Sequence, residues 1–237
     1  APVTQSDAEI AHARREYKAL ISMCDKNLGR VLDFFDENDM WKDTMLVVCT
    51  DHGYMLGEHG FWAKNYMPPY DEVVRTPLFI WDPRSGATGA RSALVQTIDL
   101  PATILSLFGI PLPRDMRGHD LQRTVADDSP VREAALFGWH SQHVCVTDGR
   151  YVYMRAGSAE VPTYEYTLMP THMAWRFQPE ELRGATLAEP FPFTKGCPVL
   201  KIPARPSGTD YPSMLFDTKK DPGELSPLDD PTLEKRM

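Results

Sequence analysis

Apolar and small residues recur in steps of three and four from Ile10 through Ala13, Tyr17, Leu20, Ile21, Cys24, Leu28, Val31 and Leu32 to Phe35. That is the stripe of a long amphipathic helix. Ser6 followed by Glu9 has capping-box spacing, so the pattern predicts a helix start there. Asp36, Glu37, Asn38 and Asp39 predict its end, and the stripe is expected to pack on a sheet. Thr44–Thr50 is then a continuous apolar run, and Thr76–Trp81 is a second. Such runs suit strands buried on both faces, as in a parallel sheet. Helix followed by buried strand is half of an α/β unit. Asp99 is placed to cap a short helix over Leu100–Phe108, which Gly109 and Pro111 stop.

From about Ser129 the period shortens. Ala134–Gly138, His143–Thr147 and Tyr151–Arg155 read as short strands, and Asp148-Gly149 predicts a hairpin between the last two. Ser213–Asp217 reads as another strand, and Asp230-Pro231 can open a last helix. Proline is absent from Val3 to Met67, but 12 prolines fall from Pro162 to Pro231. Residues 156–212 therefore read as loop-rich, with no clean period. The expected fold is α/β: a sheet packed with helices over residues 1–125, then a small antiparallel α+β subdomain over 126–237 with a long Pro-rich segment.

Composition adds few constraints. A chain of 237 residues with 42% hydrophobic and 24% charged residues is ordinary for a globular protein of one or two domains. No run of about 18 apolar residues is present, so no transmembrane helix or membrane partner is expected. The balance of 25 basic to 33 acidic residues gives −8 and argues against a nucleic-acid partner. Cys24, Cys49, Cys145 and Cys197 lie far apart without a C-x-x-C pair. Cys24 and Cys49 read as small buried hydrophobes, which fits a reducing, cytoplasmic compartment. The chain opens at Ala1 rather than Met, and is expected to be a fragment whose true N-terminus lies upstream.

The chemistry concentrates in Thr50-Asp51-His52-Gly53, continuing to Leu56-Gly57-Glu58-His59-Gly60 and Trp62-Ala63-Lys64. It follows a strand directly, and ligands in open α/β sheets bind beyond the carboxyl ends of strands. Carboxylate and imidazole together are a metal-ligand pair suited to Ca²⁺, Mg²⁺, Mn²⁺ or Zn²⁺. Two ligands are too few for a stable site, so further carboxylates must come from elsewhere. Lys64 can neutralise charge on a sulfuryl or phosphoryl oxygen. A capped turn is the plainer reading of Asp51-His52. A plain turn, however, needs neither His59 and Lys64 nor Gly53, Gly57 and Gly60.

The stretch from Thr44 to Leu121 resembles the second half of the sulfatase catalytic domain, in the alkaline-phosphatase superfamily. Besides the Asp-His-Gly segment, the likeness rests on Arg75-Thr76-Pro77-Leu78, Asp99-Leu100-Pro101-Ala102-Thr103, Gly109-Ile110-Pro111 and Arg117-Gly118. In the tail it rests on Leu215-Phe216-Asp217 and Lys220-Asp221-Pro222-Gly223-Glu224. The resemblance implies a sulfuric ester hydrolase. Asp51 and His52 become ligands of one divalent cation, Ca²⁺ first with Mn²⁺ or Mg²⁺ as alternatives. Lys64 becomes a contact to the transferred group, catalytic and substrate-binding, and His59 a further substrate-side residue. Substrates of the family type are sulfate esters of small molecules or sugars.

The family's C-x-P-x-R or S-x-P-x-R motif, source of its formylglycine nucleophile, is absent from this chain. The nucleophile and two more carboxylate ligands are expected in a missing N-terminal half, without which the chain should be inactive. A phosphonate monoester hydrolase or phosphodiesterase on the same scaffold is the second reading, and a non-catalytic binding or assembly module the third. A homo-oligomer is compatible with all three. Among other features, His140-x-x-His143 reads as a ligand pair or as strand-end residues. The aromatics of 156–212, Tyr164, Tyr166 and Trp175 among them, read as a lid or subsite, a subunit contact, or packing.

Overall fold

The computed structural model describes residues 2–64, 67–139, 142–158, 160–169, 171–172, 175–204 and 211–237. Helix α1 runs over Asp7–Glu37, with the Ser6–Glu9 capping box formed as expected. Only Phe35 of its 31 residues is buried. Leu20, Ile21, Met23, Val31 and Phe34 of the expected stripe and its flank are exposed. The helix is anchored at its ends instead. At the C-terminal end Phe35 packs on Trp41, whose ring meets Trp81 edge-on at 5.5 Å. Near the other end Arg14 donates to the Leu56 carbonyl and to Glu58, each at 2.9 Å.

Strand β1 (Leu46–Cys49), the short hairpin β2 (Met55–Leu56) and β3 (Trp62–Ala63), helix α2 (Asp71–Val74) and strand β4 (Leu78–Trp81) follow. β1 pairs β4 antiparallel, Leu46 opposite Trp81 and Cys49 opposite Leu78. The parallel, doubly buried reading of these runs is therefore corrected: neither strand has a fully buried residue, and Phe79 is 67% exposed. Cys24 and Cys49, expected inside, are both exposed. Both errors have one physical source. The apolar faces of α1, β1 and β4 are not covered by the described residues, so hydrophobicity alone did not bury them.

Helix α3 (Asp99–Leu107) begins at Asp99, which is not its cap but a buried residue of its first turn. Its carboxylate accepts from Arg132 in a two-pronged pair at 2.5 and 2.6 Å, and from the Gln96 and His119 N–H groups. Helix α4 (Gln122–Asp127) leads to β5 (Ala135–Gly138), β6 (Val144–Thr147) and β7 (Tyr151–Arg155). Then come β8 (Thr163–Thr167), α5 (Pro179–Leu182), β9 (Thr186–Ala188), β10 (Val199–Ala204), β11 (Met214–Asp217) and α6 (Pro231–Arg236).

The expected antiparallel sheet forms in the order β11-β7-β6-β5, with Asp148-Gly149 turning β6 into β7. A second, three-stranded antiparallel sheet, β8-β10-β9, lies in the segment read as irregular. Prolines concealed it: Pro203 sits inside β10 itself, opposite Tyr164 of β8.

One core spans both parts of the chain. Met55, Met67, Tyr70 and Val73 pack with Cys145, Val152, Met154 and Phe216. Each large side chain so buried contributes about 1.5–3 kcal/mol by transfer from water. The α2 segment, which lies beside the predicted site, is thereby fixed to the C-terminal sheet. No helix among the described residues is long and apolar enough to cross a membrane.

Candidate active site

The chain leaves β1 through Thr50 and turns at Asp51-His52-Gly53. Gly53 is required there by contact rather than by dihedral. A Cβ on it would lie 1.9 Å from the Glu72 carbonyl oxygen. Its N–H donates to Val73 O at 2.8 Å, so the turn is pressed flat on α2. This close approach sets the direction in which Asp51 and His52 leave the backbone.

Asp51 Oδ1 accepts the His52 backbone N–H at 2.9 Å and the Thr50 hydroxyl at 3.3 Å. Desolvation is the largest single influence and works against ionisation, but the His52 and Asp51 backbone N–H groups and the Thr50 hydroxyl together hold the carboxyl below its ordinary value. His52 Nδ1 lies 2.9 Å from the Gly53 carbonyl oxygen, which can only accept. Nδ1 therefore carries the proton, and the Nε2 lone pair faces outward. Asp51 Oδ2 comes within 3.1 Å of that Nε2. Two electron-pair donors so close call for a cation, and the Lys64 ammonium is in contact with Nε2.

Lys64 reaches this position through the β2–β3 hairpin, in which Met55 pairs Ala63 and Leu56 pairs Trp62. The hairpin tip is a series of left-handed residues: Gly57 at φ 99°, His59 at 51° and Gly60 at 77°. Ala63, immediately before Lys64, has φ 74°, a costly conformation for a residue with a Cβ. Helix α1 holds the tip from outside, with Ile10 against Gly57 and Arg14 on Glu58. His59 is turned inward. Its side chain is 7% exposed, its ring stacks on Tyr70 at 3.7 Å, and its Nε2 lies 3.5 Å from Glu72 Oε2.

Asp51, His52 and Lys64 are thus brought together, and His59 supports their loop from behind. As a metal site the donor chemistry fits, but incompletely. Asp51 and His52 can share one ion, while among the described residues no group of three His, Cys, Asp or Glu side chains could hold one. His143, read as one of a possible ligand pair, is buried with Nε2 at 3.1 Å from the Pro212 carbonyl oxygen, and His140 lies outside the described residues. Reading the sequence missed α2, which braces the turn, and Glu224, whose buried carboxylate accepts the first N–H of α2, Asp71, at 2.9 Å. Glu224 stood in the quoted tail motif, but nothing in its spacing signalled a contact across the chain.

Residues 2–110 match the family model described as Sulfatase. The chain is 30% identical over 131 residues to the N-acetylglucosamine-6-O-sulfatase of Bacteroides thetaiotaomicron, covering 53% of this chain and 23% of that relative. It superposes with TM-score 0.61 and 21% identity on a solved protein in complex with D-glucosamine-2-N,6-O-disulfate, covering 90% of this chain and 35% of the other. The phosphonate monoester hydrolase of Silicibacter pomeroyi superposes with TM-score 0.59 and 25% identity, over 66% of this chain and 35% of that one. The chain therefore spans about a quarter to a third of the length of these proteins. The resemblance read from the motifs is borne out, and so is the α/β fold class.

Proposed function

We propose that this chain, sulfatase-like in sequence over residues 2–110 and in fold along most of its length, is part of a sulfuric ester hydrolase. The observation that carries the reading is the convergence of Asp51, His52 and Lys64 at the end of β1. Asp51 and His52 would hold one divalent cation, Ca²⁺ first, with Mn²⁺ or Mg²⁺ as alternatives. That ion supplies positive charge to polarise the ester's oxygens. Lys64 offers an ammonium whose N–H donors bind an anionic oxygen of the transferred group and offset the charge that grows there. His52 keeps its Nε2 lone pair outward because its Nδ1–H donates to Gly53 O. His59, buried against Tyr70 and Glu72, acts by fixing the loop that carries Lys64 rather than by touching substrate.

The remaining metal ligands and a formylglycine nucleophile would come from polypeptide outside these 237 residues. Sulfated sugars are the favoured substrate class, from the names of the relatives. A second reading, phosphonate monoester hydrolysis, is favoured by the structural match to the phosphonate monoester hydrolase.

A substrate panel on protein that includes those outside residues tests both readings. It should compare a glucosamine 6-sulfate, 4-nitrophenyl sulfate and a phosphonate monoester with the same leaving group. Faster cleavage of the sulfates supports the first reading, and faster cleavage of the phosphonate installs the second. Lys64→Ala should lower kcat by about 10²–10³-fold, as for other removed charge-stabilising donors. Asp51→Ala should abolish turnover of every member. Full turnover by Asp51→Ala would overturn both readings.

A further inference from the structure

Glu224 lies more than 150 residues downstream of α2, yet it is 3% exposed and sits at the start of that helix. Its Oε2 accepts the Asp71 N–H at 2.9 Å, whereas Oε1 is buried with no hydrogen-bond partner among the described residues. Its backbone is left-handed, at φ 49°, within the turn closed by its own N–H to Asp221 O. A non-glycine residue held there is constrained by what surrounds it. From Asp71 the contacts continue into the site. The Glu72 carbonyl oxygen abuts Gly53, the Val73 carbonyl accepts the Gly53 N–H, and the Glu72 carboxylate faces His59.

We propose that Glu224 is a positioning residue of the active site: from the C-terminal tail it holds α2 in place, and α2 in turn holds the Gly53 turn that presents Asp51 and His52. The inference rests on reading those two residues as the site.

The brace is built to work with a neutral carboxyl. Asp71 and Glu72 of α2 and Asp221 of its own turn face Glu224, together with the Tyr70 phenol and the Cys145 thiol. Each of these groups is neutral or negative. The His59 imidazole lies beyond, against Glu72 and Tyr70. Burial, helped by the neighbouring carboxylates and opposed by the Asp71 N–H, pushes the carboxyl from its ordinary 4.5 up to about 8. The protonated oxygen is then Oε1, and Oε2 keeps accepting from Asp71. The docked state binds the proton more tightly than an opened state does. Docking is therefore fully supported below pH 4.5, weakens as pH rises from there, and reaches its floor above about pH 8.

Amide hydrogen exchange on this chain reads the brace directly, without hydrolysis. The amides to follow are Asp71 and Gly53, with Phe108 of the α3 end as a distant control. Rates are divided by the intrinsic exchange rate at each pH. In the wild type, opening at Asp71 and Gly53 should rise by up to about tenfold per pH unit between pH 5 and 8, then level off. Glu224→Gln keeps an acceptor and cannot ionise, so it should hold both amides protected with a flat profile. Glu224→Ala should expose both amides at every pH and leave Phe108 unchanged. Unchanged protection of Gly53 in Glu224→Ala would overturn the brace, as would a wild-type pH profile that persists in Glu224→Gln. If the alanine variant does not fold, the contrast between wild type and Glu224→Gln decides alone. Because exchange needs no substrate, a failed brace leaves the sulfatase reading standing, and a failed substrate panel leaves the brace standing.

Discussion

Asp99 shows what a single position reveals and conceals. Its place before an apolar stretch reads as a helix cap, and on that reading Asp99→Ser would be harmless. Inside the fold it is fully buried and grips Arg132, itself 9% exposed, across 33 residues of chain. No local pattern encodes that partnership, because Arg132 lies in a segment without regular structure. Breaking such a pair leaves one charge buried alone, so Arg132→Ala and Asp99→Ser should each cost about 3–5 kcal/mol. Urea unfolding monitored by circular dichroism measures the loss, and a shift below 1 kcal/mol for Asp99→Ser would restore the capping role. The pH dependence follows from the same contacts. Burial opposes ionisation of Asp99, but Arg132 and the His119 and Gln96 N–H groups outweigh it and hold the carboxyl below its ordinary range. A depressed carboxyl stabilises the fold above its unfolded-state pKa, and that stability is lost as pH falls through the lower native value. Arg132→Ala should therefore flatten the acid limb of the stability profile.

At the scale of elements, the candidate turn was legible because its residues are local: Asp51, His52, Gly53 and Lys64 lie within one strand-turn-hairpin unit. The brace beneath it was not. Helix α2 has four residues, too few to show a helical period, and its contact to Gly53 is backbone on backbone. The sheet β8-β10-β9 escaped for a similar reason, since its prolines read as breakers while its register depends on distant partners. The two kinds of glycine near the site make a contrast that tests this account. Gly60 has open space around its missing Cβ but sits at φ 77°. Gly60→Ala should therefore cost about 1–2 kcal/mol of stability through the backbone alone. Gly53→Ala meets the Glu72 carbonyl at 1.9 Å, so turn and helix must separate. A displacement on the order of 1 Å at a reacting centre costs about 10²-fold in rate. In the active protein, Gly53→Ala should thus lose kcat far beyond its loss of stability, whereas Gly60→Ala should lose stability first. Equal ratios of rate loss to stability loss in the two variants would refute the close-approach argument.

The whole molecule joins a well-covered part to an uncovered one. The C-terminal sheet and α2 share a closed core, while α1, β1 and β4 present apolar faces to solvent around a groove of about 830 Å³. Leu28 and Leu32 of α1 face Leu46, Val48 and Ile80 across it, and among the described residues β1 and β4 pair only with each other. Contiguous apolar surface on this scale is uncommon on a solitary soluble chain. It coincides with the part matching the Sulfatase model, in a chain spanning 23% of one sulfatase relative. If further polypeptide supplies both a cover for this face and the carboxylates proposed to join Asp51 and His52, the two-residue donor set and the half-covered sheet have one cause. On its own the chain should bind a hydrophobic dye and show a light-scattering mass that grows with concentration. Replacing Leu20, Ile21 and Phe34, each more than half exposed, with glutamate should suppress both effects. It should leave the unfolding midpoint nearly unchanged, because exposed substitutions cost about 0.5 kcal/mol or less. A large drop in midpoint would mean that these side chains are packed in solution by another copy of the chain. The apolar face would then be an existing interface rather than an open one.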